Sequence, residues 1–269
     1  MTTATREQIL REMGLGPVWK LRIPVTPDAV DSVSQPHSAT NQVNGEVEIA
    51  DRVRLAGPAS AREAALPEVS AASLPTEWEP FARVVASCKQ CALCERRKQA
   101  VVGVGDSHAD WLFVGEGPGA DEDEIGEPFV GQAGKLLDNM LAAIQLRRGT
   151  DVYIANAVKC RPPGNRTPSE DELMACRPYL LKQIEMIKPR LIVALGGSAA
   201  KTLLQQTDVK VGELRGQILD AQGIPLVVTY HPSYLLRSPM EKAKAWEDLC
   251  FMRRTMRSLK EQTSIRPDS

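Results

Sequence analysis

No apolar run in this 269-residue sequence approaches the ~18 residues of a membrane-spanning helix. Met1-Thr-Thr-Ala-Thr-Arg-Glu7 has neither the charged n-region nor the apolar h-region of a secretory leader. A soluble, cytoplasmic, monomeric protein with no membrane partner is expected. Between Ile23 and Pro75 there is no Phe, Trp or Tyr, and Ala, Ser, Pro, Val, Asn and Glu dominate. Such a stretch cannot bury enough apolar surface to offset its ordering entropy, so a disordered linker is expected over 23–76. Charge of one sign is lacking too: 33 Lys and Arg face 34 Asp and Glu. That balance would argue against a nucleic-acid partner, but it averages two unlike parts. From Arg83 to Lys260 there are 25 basic and 21 acidic residues, leaving 8 basic and 13 acidic outside. A mildly basic core permits phosphate binding without demanding it.

The most glycine-rich stretch, Gly115-Glu-Gly-Pro-Gly119, is followed by no Gly-Lys-Ser/Thr and lacks Gly-x-Gly-x-x-Gly spacing. Neither a P-loop nor a dinucleotide fingerprint is present. The stretch follows the apolar run Trp111–Val114 and precedes a helical pattern from Ala133 to Leu146, which places it at the carboxyl end of a strand. Three glycines there let backbone N–H groups approach a flat or anionic ligand.

Beyond it the pattern alternates: strand 152–157, helix 169–187, strand 190–195, helix 198–205, strands 214–219 and 225–230, and a helix from about 239 to 259. Ser169-x-x-Glu172 is a capping box that marks one helix start. Alternation of this kind predicts a three-layer α/β/α sandwich with a mostly parallel central sheet. A folded domain is expected over 77–260, with a flexible tail at 261–269 and a short helical, Trp-bearing segment at 1–22.

Six cysteines in a cytosolic chain are not read as disulfides. Cys88-x-x-Cys91 precedes the distant Cys160 and Cys176, and four thiolates from separate segments form a cross-brace around zinc or a 4Fe-4S cluster. Spacing alone does not choose between Cys88 and Cys94, and Cys250 reads as a small apolar residue.

Several separated motifs coincide here: Cys88-x-x-Cys91-x-Leu93, Gly115–Gly119, Gly126-Glu-Pro-Phe-Val-Gly131, Tyr153-Ile-Ala-Asn-Ala-Val-Lys-Cys-Arg-Pro-Pro-Gly-Asn-Arg166, Cys176-Arg-Pro-Tyr-Leu180 and His231-Pro-Ser-Tyr-Leu-Leu-Arg237. In order, spacing and residue type they resemble the family 4 uracil-DNA glycosylases, the iron-sulfur branch of the uracil-DNA glycosylase superfamily, over about residues 84–258. The resemblance implies a base-excision repair enzyme that flips uracil out of DNA and hydrolyses its N-glycosidic bond. It implies a 4Fe-4S cluster on Cys88, Cys91, Cys160 and Cys176, and a uracil pocket made by Glu116, Gly117, Glu122, Phe129, Asn156 and His231.

The residue types agree with these roles. Phe129 offers a stacking face. Asn156 offers an acceptor and a donor that match uracil N3–H and O4, a pattern that cytosine reverses. His231 can donate from a neutral imidazole to uracil O2, where charge builds as the bond breaks. Better-known members of the superfamily carry an Asp general base where this chain has Gly117, so Glu122 is the candidate for positioning water or for excluding the methyl of thymine. Asp121, Asp123 and Glu124 read as a solvated face.

Leu235 is the candidate wedge for the gap left by the flipped base. Arg237, Lys159, Arg161, Arg166 and the backbone at Gly197-Ser198 are candidate phosphate contacts. No lysine is placed as a Schiff-base nucleophile, so a monofunctional enzyme leaving an abasic site is expected. Residues 1–22 are a candidate motif for a replication or repair partner. The alternatives are the same pocket with broader deaminated-base specificity, or a non-catalytic DNA-binding protein braced by the four cysteines.

Overall fold

A computed structural model describes residues 69–264. The expected segment 1–22, most of the expected linker and residues 265–269 of the expected flexible tail lie outside the described residues, whereas residues 261–264 of that tail continue the last helix. Residues 69–76, expected in the linker, begin the folded unit: Ala71–Ser73 form a 3-10 turn capped by Ser70, and Leu74 is buried. No helix among the described residues is long and apolar enough to cross a membrane.

The elements run α1 (Trp78–Ala86), β1 (Val104–Gly105), β2 (Trp111–Gly115), α2 (Ala120–Ile125), α3 (Gln132–Ala143), β3 (Val152–Asn156), α4 (Glu170–Ile187), β4 (Leu191–Leu195), α5 (Gly197–Leu204), α6 (Val211–Leu214), β5 (Leu219–Ala221), β6 (Ile224–Thr229), α7 (Pro232–Arg237) and α8 (Lys242–Ser264). They form one six-stranded sheet in the order β1-β3-β2-β4-β6-β5. The four central strands are parallel, and the short edges β1 and β5 pair antiparallel. Parallel strands buried on both faces read as continuous apolar runs, and every residue of β2, β3 and β4 is buried.

Alternate side chains on each strand supply two cores. Trp111, Phe113, Ile154 and Val193 face α3, α7 and α8, whereas Leu112, Val114, Ala155 and Ile192 face α4 and α5. A third cluster joins α1 to the first half of α4 through Phe81, Leu93, Val158 and Tyr179. The three-layer sandwich expected from the alternation is the observed architecture. The capping box is formed as expected: the Ser169 hydroxyl accepts from Glu172 N at 3.3 Å and the Glu172 carboxylate accepts from Ser169 N at 2.8 Å.

One strand is a correction. Residues 214–219 do not run as a strand: Val211–Leu214 make a helical turn, and Gly216 reverses the chain at φ +71°. Arg215 makes only an isolated bridge to Val228 and is drawn aside to the buried Asp248 at 2.7 Å. Apolar residues at 214, 218 and 219 fit either period, and the glycine decides against continuous extension.

Candidate active site

The parallel strands β2, β3, β4 and β6 all end on one edge, so the residues that follow them converge there, as ligand-binding residues do in open α/β sheets. Gly115 and Asn156 are register partners at the ends of β2 and β3. Leu195 and Thr229 are partners at the ends of β4 and β6, just before Ser198 and His231. The loops after β2, β3 and β6 and the start of α3 enclose a cleft of about 380 Å³ whose lining includes Glu116, Gly117, Asp121, Glu122, Phe129, Asn156, Arg166, His231 and Arg237, whereas Gly197 and Ser198 after β4 do not line it. All six residues expected in the uracil pocket are therefore in one cleft.

Asn156 is only 2% exposed, and its Oδ1 is buried with no hydrogen-bond partner. A buried amide oxygen without a partner carries a desolvation cost of roughly 1–3 kcal/mol, which a ligand donor would remove. In the same cleft the Phe129 ring stacks on the His231 imidazole, with centroids 5.4 Å apart and planes inclined by 30°. Gly115 makes this packing possible, because a Cβ there would lie 2.5 Å from both Asn156 Oδ1 and the Phe129 ring.

His231 caps the start of α7. Its Nδ1 accepts from Ser233 N at 3.1 Å and faces the Ser233 hydroxyl at 2.8 Å, which leaves Nε2 as the protonated nitrogen. Burial pushes its pKa down to about 4, the nearby Arg237 charge acts in the same direction, and Glu122 opposes. The ring is thus a neutral donor at physiological pH.

Glu122 is committed to the loop itself. One carboxylate oxygen accepts from Gly119 N at 3.0 Å, and the other accepts from Val130 N and Gly131 N at 3.0 and 3.2 Å. It ties α2 to the Phe129 segment as well as facing the cleft. Glu116 accepts the Ser198 hydroxyl at 2.6 Å, so the Ser198 side chain, 5% exposed, is turned to the wall of the cleft.

The supposedly solvated acidic face is corrected at Asp123, which is buried and accepts from Lys98 N at 2.9 Å. Asp121, placed on that same face, lines the cleft.

Two expected DNA contacts are corrected. Leu235 is not at a loop tip: the segment folds into α7, and Leu235 is 0% exposed in the core while Leu236 is 44% exposed. An i, i+3, i+4 pattern from Pro232 over so short a span is easily read as a loop. Lys159 is 1% exposed, and its ammonium donates to the Asn156 carbonyl at 2.8 Å and to Gln183. Burial lowers its pKa to about 8 against the opposing pull of Cys176 and Cys160. Arg237 and Arg166 both line the cleft, although Arg166 also makes a bidentate pair with Glu172 at 2.8 and 2.6 Å. Arg161 bonds Asn165 at 2.7 Å and does not line it.

Behind the Asn156–Pro162 loop, Cys88, Cys91, Cys160 and Cys176 line a separate small cavity, together with Cys94. Polar hydrogens point at the sulfurs: Arg97 reaches Cys160 Sγ at 2.8 Å, Lys159 N reaches Cys176 Sγ at 3.3 Å, and Gln90 N reaches Cys88 Sγ at 3.5 Å. Burial raises the pKa of Cys91 and Cys160 and pushes Cys176 up to about 12, so the free thiols hold their protons. Among the described residues no three Cys, His, Asp or Glu side chains close on a point suited to a single metal ion. Arg97 carried no motif signal in the sequence; its contact across 63 residues comes from the fold alone.

The family model of the uracil DNA glycosylase superfamily matches residues 102–250. A "Type-4 uracil-DNA glycosylase" of Pyrobaculum aerophilum is 44% identical over 173 residues, covering 62% of this chain and 88% of that protein. Another, of Thermotoga maritima, is 48% identical over 155 residues, covering 57% and 80%. A "Type-5 uracil-DNA glycosylase" of Pyrobaculum aerophilum is 32% identical over 146 residues, covering 49% and 64%.

Proposed function

The chain belongs to the uracil-DNA glycosylase superfamily, and from that premise we propose that its cleft takes a uracil flipped out of DNA and hydrolyses the bond from N1 to C1′, leaving an abasic site. The observation that carries this reading is the buried, partnerless Oδ1 of Asn156 in the same cleft as the Phe129–His231 stack. The amide oxygen accepts from uracil N3–H and the amide nitrogen donates to O4. Cytosine presents a donor and a lone pair in the opposite order and leaves the buried amide mispaired. Phe129 covers one face of the base, worth about 1–3 kcal/mol by analogy with other base-stacking platforms.

As the glycosidic bond lengthens, electrons move to the base and charge collects on O2. The Nε2–H of neutral His231 is the donor available to that oxygen, and such a prepositioned donor is worth roughly 10²–10³ in rate. The sugar becomes electron-poor, and the carboxylates of Glu116, Asp121 and Glu122 set a negative wall beside it. Water then adds to C1′ and gives up a proton to solvent, and the departing uracil anion takes one up, so the products are neutral uracil and an abasic sugar. Glu122, with both oxygens engaged by backbone N–H groups, acts as a positioning residue for that wall. Arg237 and Arg166 are the cleft's candidate phosphate contacts.

A 4Fe-4S cluster held by Cys88, Cys91, Cys160 and Cys176 is part of the same proposal, supported by the four thiols lining one cavity and by the N–H groups aimed at their sulfurs. When bound, the cluster supplies a cross-brace between the amino-terminal segment, the Asn156–Pro162 loop and α4. The partner proposed for residues 1–22 lies outside the described residues.

The test is cleavage, after alkali, of oligonucleotides carrying a single uracil, thymine or hypoxanthine. Wild type is expected to leave an alkali-labile site at uracil. Asn156→Asp and His231→Ala are each expected to lose about 10²–10³ in kcat/KM. Failure of brown, iron-loaded protein to cut any of these substrates would sink the reading.

A further inference from the structure

Phe129 sits at φ +57°, a left-handed conformation that a bulky residue seldom adopts without being held there. Its ring is nonetheless placed against both Gly115 and His231. Glu122 holds the following residues Val130 and Gly131 from within the cleft, and a second restraint comes from outside it. Arg148, in the turn between α3 and β3, donates from one guanidinium nitrogen to the Pro128 carbonyl at 2.8 Å and from another to the Phe129 carbonyl at 2.8 Å. Asp138 on α3 orients that guanidinium, accepting from Nε at 3.1 Å and from Nη2 at 3.0 Å. The Phe129 carbonyl also abuts Gly134 of the same helix, where a Cβ would come within 1.8 Å of its oxygen. Two consecutive carbonyls are thus gripped by one planar, five-donor group that is itself anchored to a helix.

We infer that Arg148 is a positioning residue for uracil recognition, acting with Asp138 to hold the Phe129 ring in the plane where it stacks on the base. The inference rests on the uracil reading of the cleft. Arg148 does not line the cleft, so its effect on the base passes through Phe129. A lysine presents its three donors from a single nitrogen and cannot reach both carbonyls and Asp138 as the planar guanidinium does, so it replaces the clamp only in part.

The test compares wild type, Arg148→Met, Arg148→Lys and Asp138→Asn in the full chain. The quantities read are the inhibition constant of free uracil, KM and kcat on a uracil oligonucleotide, affinity for an abasic-site duplex, and Tm. Arg148→Met is expected to weaken free uracil and raise KM by about 10–100-fold, the range of one lost base stack, while abasic-site affinity stays within about twofold. Arg148→Lys and Asp138→Asn should fall between, since each keeps part of the clamp. Unchanged uracil inhibition in Arg148→Met would overturn the inference. So would a parallel loss of uracil binding, abasic-site binding and Tm in all three variants, which would mark a general folding defect. Wild type that neither binds uracil nor cuts the oligonucleotide would instead overturn the uracil reading on which the inference rests.

Discussion

At the scale of single residues, burial decides the chemistry of His231. Its imidazole has a pKa of about 4, so the neutral donor form persists through the range in which an ordinary histidine titrates. Uracil excision is expected to show no loss between pH 7.5 and 5.5 attributable to this ring, with a fall only toward pH 4, read from the pH dependence of kcat. The same shift bears on stability. The unfolded chain takes up the proton near pH 6.5 and the folded one only near 4, so the contribution is full above 6.5 and is lost as pH drops through 4. It is worth about 3 kcal/mol. Urea unfolding at pH 7.5 and 4.5 should show a pH slope in wild type that His231→Ala lacks by this amount. Equal slopes would remove the explanation.

At the scale of elements, α7 and the loop after β3 carry two residues whose roles their surroundings reversed. Leu235→Ala is expected to cost about 2–5 kcal/mol by opening a cavity under α7, whereas Leu236→Ala stays within about 0.5 kcal/mol. Thermal unfolding of the two variants separates a core leucine from a wedge, since a wedge would lose DNA affinity and leave Tm unmoved. Lys159 makes the parallel case. Its ammonium satisfies the Asn156 carbonyl and Gln183 rather than phosphate. Lys159→Met should therefore lower stability and leave the salt dependence of DNA binding as it is in wild type, while Arg237→Met reduces the slope by about one unit. Binding titrations across a range of salt concentrations would contradict this if Lys159→Met also flattened the slope.

At the scale of the whole molecule, the cysteine cavity joins three parts that the sheet alone does not hold: the turn after α1, the loop after β3 and the interior of α4. Folding free energy and the binding of a structural metal group are coupled, because the unfolded chain has no preformed site. Removal of iron, or Cys176→Ala, is expected to abolish absorbance near 400 nm and to lower Tm by roughly 5–15 °C, the equivalent of about 2–5 kcal/mol in a domain of this size. The parallel sheet, buried on both faces by its own helices, should keep its circular-dichroism signal below the new Tm. Iron-free protein with an unchanged Tm would show that the cysteines brace nothing.

The sequence alone determined the layers and the edge of the sheet that carries the site. Short, mostly apolar runs at 111–114, 152–155 and 191–195 alternating with helical patterns read as strands buried on both faces, and the capping box at Ser169 and Glu172 starts α4 where its side chains reach back to the backbone. The motifs at and just after the carboxyl ends of the parallel strands place Glu116, Asn156 and His231 on one edge. Tertiary structure alone decided what a side chain meets once it arrives. A lysine, an aspartate and a leucine that read as surface groups at 159, 123 and 235 are buried, and residues 214–219 turn at a glycine instead of pairing. Periodicity and spacing report which way a residue faces along its own element; whether that face meets water, a carbonyl or a ligand depends on segments tens of residues away, and only the closed fold supplies them.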